Sequence, residues 1–449
     1  GAPRIATTAA RLLERWTGWA EHQCCALPGA GDAPSAPNLR MFGSGYLHWG
    51  VQSNWNFVAA MATVAAHSRG AFAEKAHALA VSTLHAALAT HVTGDRRCPD
   101  GKQWGHTWIS MLGIERGMQG VASLHHTLTE MDNAALRRVL VSEADWLLNE
   151  ARRGEHGGVC ASKWASSRMN VPESNIWSGA FLWRVAQMYP DEPSAAAWME
   201  RAHVYFINGV SVETDAQDET IVAGKPVRAR HVGANFFLHY ALDHHGYLNV
   251  GYMAICASNA AILHFDAKRA GWERPDSLDH HQGDLWNVLR RMVFADGRLA
   301  RVGGDSRVRY AYCQEYLLPS LLYAADRFGD AHALELAERQ VEWIAQEAEA
   351  NADGSFYGTR LAHLRDTNPH YYCRLESDRA VVLAMLLNYL PLVHVPPAPS
   401  SGFEESVAGD WVEHEHGAVL TRSATRFASF SWRSHGLGQA LCVPPQESS

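Results

Sequence analysis

The chain has 449 residues and a formal net charge of -8, with charged residues at only 19% beside 16 tryptophans and 25 histidines. This aromatic-rich composition excludes a disordered chain, and the acidic balance argues against nucleic acid as an obligate partner, because phosphate binding draws on an excess of Lys and Arg. The length exceeds what one hydrophobic core usually holds unless the architecture grows by repetition.

From about residue 6 to residue 392, Ala- and Leu-rich segments of helical period alternate with turn signals at 28–34, 69–70, 95–102, 154–158, 190–193 and 353–354. The helices are expected in pairs: 71–93 with what precedes it, 103–130 with 132–152, 173–189 with 194–210, and 312–328 with 331–350. A repeat of roughly fifty to sixty residues per hairpin, without sequence identity between hairpins, predicts a mainly α fold, an incomplete (α/α) toroid of stacked helical pairs. Residues 1–392 are expected to form this toroid, and 393–407, rich in Pro, Ser and Gly, a linker. Residues 408–449 then begin an antiparallel β domain, since 410–433 alternates in strand fashion.

No run suits a membrane: 380–395 is interrupted by Asn388 and Pro391 and closed by Pro396-Pro397. Residues 1–10 lack the charged and apolar regions of a signal peptide; if residue 1 follows a removed one, the protein is secreted or periplasmic. The eight cysteines show no CxxC pair and no zinc-ligand spacing, and several sit in apolar helical text as buried thiols do.

There is no P-loop, dinucleotide-binding glycine motif, His-Glu-x-x-His or Gly-x-Ser-x-Gly. Three dense polar clusters stand out instead. The first, 235–252, crowds Asn235, Asp243, His244, His245, Tyr247, Asn249 and Tyr252 into text that otherwise reads as buried helix and turn. The second, 296–312, is a glycine-rich turn opening Asp296-Gly297 and delivering Tyr310 and Tyr312 at a helix start. The third, 368–379, carries His370, Arg374, Glu376 and Asp378. Core packing favours Leu and Ala, whereas proton transfer on a sugar ring favours imidazole and phenol beside an amide that can bind a carboxylate.

In order and spacing these clusters resemble the heparinase II/III-like polysaccharide lyases, whose toroid of helical hairpins is followed by an antiparallel β domain. That family carries an Asn-His-Gly triplet and, some way on, a tyrosine in a segment opening Asp-Gly; here the triplet reads His244-His245-Gly246. Glu173-Ser-Asn175-Ile-Trp177 is similar to its Glu-x-Asn-x-Trp stretch on a cleft-lining helix. The resemblance implies β-elimination on a uronic acid-containing glycan, an acidic poly- or oligosaccharide. His245, Tyr310, His244 and Tyr252 would be catalytic, and Asn235, Glu173, Asn175, Trp177, Arg309, Tyr312, His370, Arg374 and His106 would bind substrate. Because His244 replaces the family's asparagine, neutralising the substrate carboxylate falls to His244 itself, Asn235, Asn249 or an arginine. A cleft of Arg301, Arg307, Arg309, Arg360, Arg365 and Arg374 could be basic inside an acidic shell.

Other readings stand beside this one. A glycoside hydrolase on the same type of toroid needs two carboxylates flanking the bond, for which Asp243, Asp305, Glu173 and Glu376 are candidates. A non-catalytic glycan-binding helical module would show the same aromatics. Trp49, Trp55, Trp104, Trp108 and Trp177 read as core or rim packing, and His125-His126 as a core pair. The elimination chemistry requires no cofactor, but a structural divalent metal has two candidate places. Asp279, His280, His281 and Asp284 offer a His and two carboxylates, although adjacent histidines on a helix face apart. His414-Glu415-His416 puts two histidines on one strand face, a better geometry for zinc.

Overall fold

The computed structural model describes residues 2–29, 39–43, 49–151, 157–303, 311–433, 437–444 and 447. The chain is mainly α with an antiparallel β-sheet at its C-terminal end, as the periodicities predict. It folds into two compact units, each assembled from separated stretches. The first comprises 1–150, 184–195 and 341–392, and the second 151–183, 196–340 and 393–449. Residues 1–392 thus contribute to both units, and the sheet belongs with the second. Among the described residues no helix is long and apolar enough to cross a membrane, and all eight cysteines are free thiols.

The first unit is built on the helix Trp49–His67, in which every residue from Val51 to Val64 is buried. A helix with no polar face needs neighbours on all sides. Helices Gly70–Thr90, Ser110–Leu124 and Pro369–Tyr389 provide them. Close approach depends on Gly120, where a Cβ would lie 2.5 Å from the Ala59 Cα. Buried amides find partners across the contact: Gln52 Nε2 donates to Asp378 Oδ1 at 2.8 Å and Asn56 Nδ2 to Ser377 Oγ at 3.1 Å. The helix expected from 103 starts only at Ser110, because the loop before it holds His106 at φ 55°. It ends at Leu124, so His125 and His126 fall beyond it and are exposed, contrary to the expected core pair. The next helix, Glu130–Asn149, opens with a capping box between Thr129 and Asp132.

The second unit has its own buried helix, Val250–Ala270. Every residue from Val250 to Ala267 is buried apart from Tyr252. Asn249 caps its start by accepting the Tyr252 N–H at 3.1 Å, and Gly271, at φ 73°, closes its end. The helix Leu317–Phe328 lies alongside, with Ser320 Oγ donating to the Ala254 carbonyl at 3.1 Å.

The four strands Gly409–Glu413, Ala418–Arg422, Arg426–Ser431 and Leu437–Cys442 pair antiparallel in chain order. The sheet packs on the loops of its own unit. Arg422 donates to the carbonyls of Arg291 and Val293, both at 2.7 Å, and pairs with Glu404 at 2.8 Å. Glu413 accepts the His239 N–H at 2.9 Å and Trp411 Nε1 donates to the His239 carbonyl at 3.1 Å. Residues 414–417 form the turn between the first two strands, not strand. His414 is therefore exposed while His416 is buried, and the two do not share a strand face as expected for zinc.

Candidate active site

The centre of the first polar cluster is a tight hairpin rather than helix. Asp243 pairs with Leu248 and His244 with Tyr247, leaving His245 and Gly246 as a two-residue turn at φ 55° and 84°. Two consecutive left-handed residues define the turn that matches the twist of paired strands, and glycine suits the second position. His245 occupies the first, a conformation few non-glycine residues adopt, and its side chain is exposed.

Asn249 Nδ2 donates to the His244 carbonyl at 3.1 Å, tying the hairpin to the start of the buried helix. His245 Nε2 then lies 3.4 Å from the Tyr252 hydroxyl, which is hydrogen-bonded to the Tyr312 hydroxyl. Tyr312 reaches this position because Gly251 has no side chain: a Cβ there would lie 2.7 Å from Cys313 Cβ. The same absent Cβ would be 3.2 Å from Arg301 Nη1, so a guanidinium stands next to the residue preceding Tyr252.

His244 is buried beneath this surface, its ring 4.2 Å from the rings of both His245 and Tyr252. Asn170 donates its Nδ2 to the carbonyls of Ser162 and Asn235, at 2.6 and 3.0 Å, which leaves Oδ1 as the atom facing His244 Nδ1 at 3.0 Å. An amide oxygen only accepts, so His244 carries a proton on Nδ1. Its Nε2 lies 3.5 Å from the carboxylate of Glu173, itself buried on the helix Pro172–Met188. Asp243 anchors the hairpin from behind: it accepts the Ala165 N–H at 2.8 Å and faces His416 Nε2 at 3.2 Å.

Of the residues expected from the sequence, His244, His245, Tyr252, Tyr312 and Glu173 come together here. Tyr310, Arg307, Arg309 and Asp305 lie outside the described residues. Asn235 and Asn175 are buried and hydrogen-bonded to the backbone. Asn235 accepts the Ser162 N–H and donates to the Asn208 carbonyl at 2.6 Å, and Asn175 donates to the carbonyls of Cys160 and Asn208 at 2.7 and 2.8 Å. Trp177, like Trp55 and Trp104, is buried, while Trp49 is half-buried and Trp108 exposed.

His106, His370 and Arg374 belong to the first unit. His106 Nε2 faces Ser142 Oγ at 2.8 Å. Arg374 is buried over the Trp49 ring at 4.0 Å and donates to Gln52 and Tyr371, and His370 is half-buried on the helix Pro369–Tyr389. Arg360 pairs with Glu347 and Arg365 with Asp366, so these guanidiniums of the expected basic cleft have acidic partners. Glu376 is also in the first unit, buried and accepting the N–H groups of Phe356 and Tyr357. Asn170, which fixes the His244 ring, escapes sequence reasoning. The two residues are 74 positions apart, and the only local sign is that Asn170 stands three before Glu173.

No family model matches the chain, and no curated protein matches it. Among solved structures it is similar to a possible member of the GH105 family from Salmonella enterica subsp. enterica serovar Paratyphi A str. ATCC 9150. The identity is 12% and the TM-score 0.42, over 86% of this chain and 94% of that one. A likeness this distant carries no argument about activity or residues.

Proposed function

We propose that the protein is a glycan-processing enzyme and that the cluster of His244, His245, Tyr252 and Tyr312 cleaves a uronic acid-containing chain by β-elimination. The observation that carries this reading is the exposed imidazole of His245 within 3.4 Å of a phenol that is itself hydrogen-bonded to a second phenol. His245 Nε2 takes the C5 proton, the C–H electron pair becomes the C4–C5 double bond, and the C4–O bond breaks. Tyr252, relayed by Tyr312, gives a proton to the departing oxygen and regains one from His245. General acid and base steps of this kind contribute on the order of 10²–10⁴ in rate each. The C5 proton becomes acidic enough only when the adjacent carboxylate is neutralised. His244, polarised by Glu173, and the Arg301 guanidinium are the groups assigned to that task.

Hydrolysis of a glycosidic bond is the second reading. It is favoured by one observation, the buried carboxylate of Glu173 inside the cluster, where burial suits a general acid. The GH105 name of the distant structural neighbour sits with this reading rather than with elimination, but adds no weight at that similarity. Hydrolysis needs a second carboxylate across the bond. Asp243 already accepts the Ala165 N–H and faces His416.

Incubation with a panel of uronate polymers separates the readings. Elimination produces a conjugated alkene that absorbs in the ultraviolet together with each new reducing end. New reducing ends without absorbance would replace elimination by hydrolysis. Saturable glycan binding with neither product would leave a binding module.

A further inference from the structure

We infer that Asp215, His280 and His281 form a binding site for a divalent transition-metal ion, zinc first among them, through one carboxylate oxygen and the two Nε2 atoms. These atoms already converge: His281 Nε2 lies 2.7 Å from Asp215 Oδ1 and His280 Nε2 3.0 Å from Asp215 Oδ2. One potential ligand atom from each residue falls within 4.8 Å of the other two. Ligands of a tetrahedral zinc with bonds of about 2.0–2.1 Å sit about 3.3 Å apart, a spacing that lies between these two contacts and the 4.8 Å within which all three ligand atoms fall.

Adjacent histidines on a helix face apart, and the backbone here removes that obstacle. His280 ends the 3₁₀ turn Asp276–Asp279 and His281 stands at φ 54°, in the left-handed region, just before the helix Gln282–Leu289. The reversal brings the two rings onto one side, with centroids 4.1 Å apart. Tyr240, whose hydroxyl reaches His281 Nδ1 at 3.0 Å, is also left-handed at φ 64°. Two non-glycine residues held in this region at one place are a mark of sites where function constrains the backbone.

The outer partners are those a metal-ligating histidine uses. His281 Nδ1 faces the Asp284 carboxylate at 2.9 Å, which directs Nε2 inward, and Tyr240 donates to the same carboxylate at 3.1 Å. Asp215 is fully buried and its Oδ2 accepts the Val212 N–H at 3.1 Å, so the acidic ligand is fixed before any ion arrives. The His281 side chain keeps 19% of its surface exposed against 1% for Asp215, which puts the entry on the His281 side. Two imidazoles and one carboxylate select zinc, cobalt or nickel over magnesium and calcium, which prefer all-oxygen sets. The ion would tie the turn at 213–217 to the start of the helix at 282.

Titration of the metal-stripped full-length protein with cobalt(II) tests the site. The visible bands of a four-coordinate ion should saturate at one equivalent and be displaced by zinc. His281→Gln and Asp215→Asn should each abolish the bands while far-ultraviolet circular dichroism stays unchanged. No saturable signal, or an undiminished signal in a folded His281→Gln protein, would overturn the inference. If both variants fail to fold, Asp284→Asn keeps every ligand atom and should weaken cobalt binding roughly 10- to 100-fold. Wild-type affinity in that variant would overturn the assignment equally.

Discussion

The hydroxyls of Tyr252 and Tyr312 share a hydrogen bond although the residues are 60 positions apart. Tyr252 is also the one residue between Val250 and Ala267 that its helix does not bury, and His245 faces its hydroxyl from the other side. Tyr252 therefore stands in the middle of the proposed relay. Tyr252→Phe should lower kcat about 10²–10⁴-fold with little change in thermal midpoint, as expected for loss of one proton-transfer group. Tyr312→Phe, which removes only the outer partner, should cost less. Initial rates by alkene absorbance, with melting curves on the same preparations, check both; a Tyr252→Phe enzyme at wild-type rate would remove Tyr252 from the mechanism.

His245 permits a clean separation of chemistry from folding. Its φ of 55° is one that glycine and asparagine adopt more readily than histidine. His245→Gly and His245→Asn should therefore keep or raise stability by up to about 1 kcal/mol while turnover is lost. Denaturant midpoints and product assays on the two variants are the measurement. A large drop in stability would mean that the imidazole is part of the packing.

Much of the helical framework is legible because long apolar repeats leave little choice. The helices Gly70–Thr90, Glu130–Asn149 and Leu317–Phe328 fall within a few residues of where periodicity puts them. The hairpin at 243–248 is not legible, since strands of two residues carry no alternation. The only signal is the His245-Gly246 pair, which stands where Asn-Gly would mark a turn. Candidate ligands are harder still. Asn235 and His244 look alike as polar residues in apolar text, yet one spends its amide on backbone groups and the other reaches Glu173. Asp215 lies 65 residues before His280, so the feature that overcomes the objection to adjacent histidines exists only in three dimensions.

The buried carboxyl of Glu376 gives the first unit a pH dependence of its own. Burial pushes it from 4.5 up to about 8, against the pull of the Phe356 and Tyr357 N–H groups. A raised folded-state value means that the native protein holds the proton more tightly than the unfolded chain. The contribution to stability is complete below about pH 4.5 and fades as pH rises through about 8. Glu376→Gln cannot ionise, so its stability should be flatter than wild type across that window. Urea midpoints at intervals from pH 5 to 8.5 check this, and parallel curves for the two proteins would show that Glu376 does not titrate there.

His244 stands where the resembled family has asparagine, and on sequence alone His244→Asn would restore the usual pattern. The geometry predicts a cost. The imidazole spans from Asn170 Oδ1 at 3.0 Å to the Glu173 carboxylate at 3.5 Å, and its ring packs against those of His245 and Tyr252. An asparagine side chain is too short to meet both partners. One buried acceptor is left without its donor, at a cost of about 1–3 kcal/mol. His244→Asn should therefore lower the denaturant midpoint and, by losing the imidazole beside Glu173, reduce kcat. The double variant Asn170→Ala, His244→Asn should lose less stability than the sum of the singles, because both remove the same hydrogen bond. Additive losses would mean that the two side chains stabilise the protein independently, and an active, fully stable His244→Asn enzyme would show that an amide suffices where the imidazole stands.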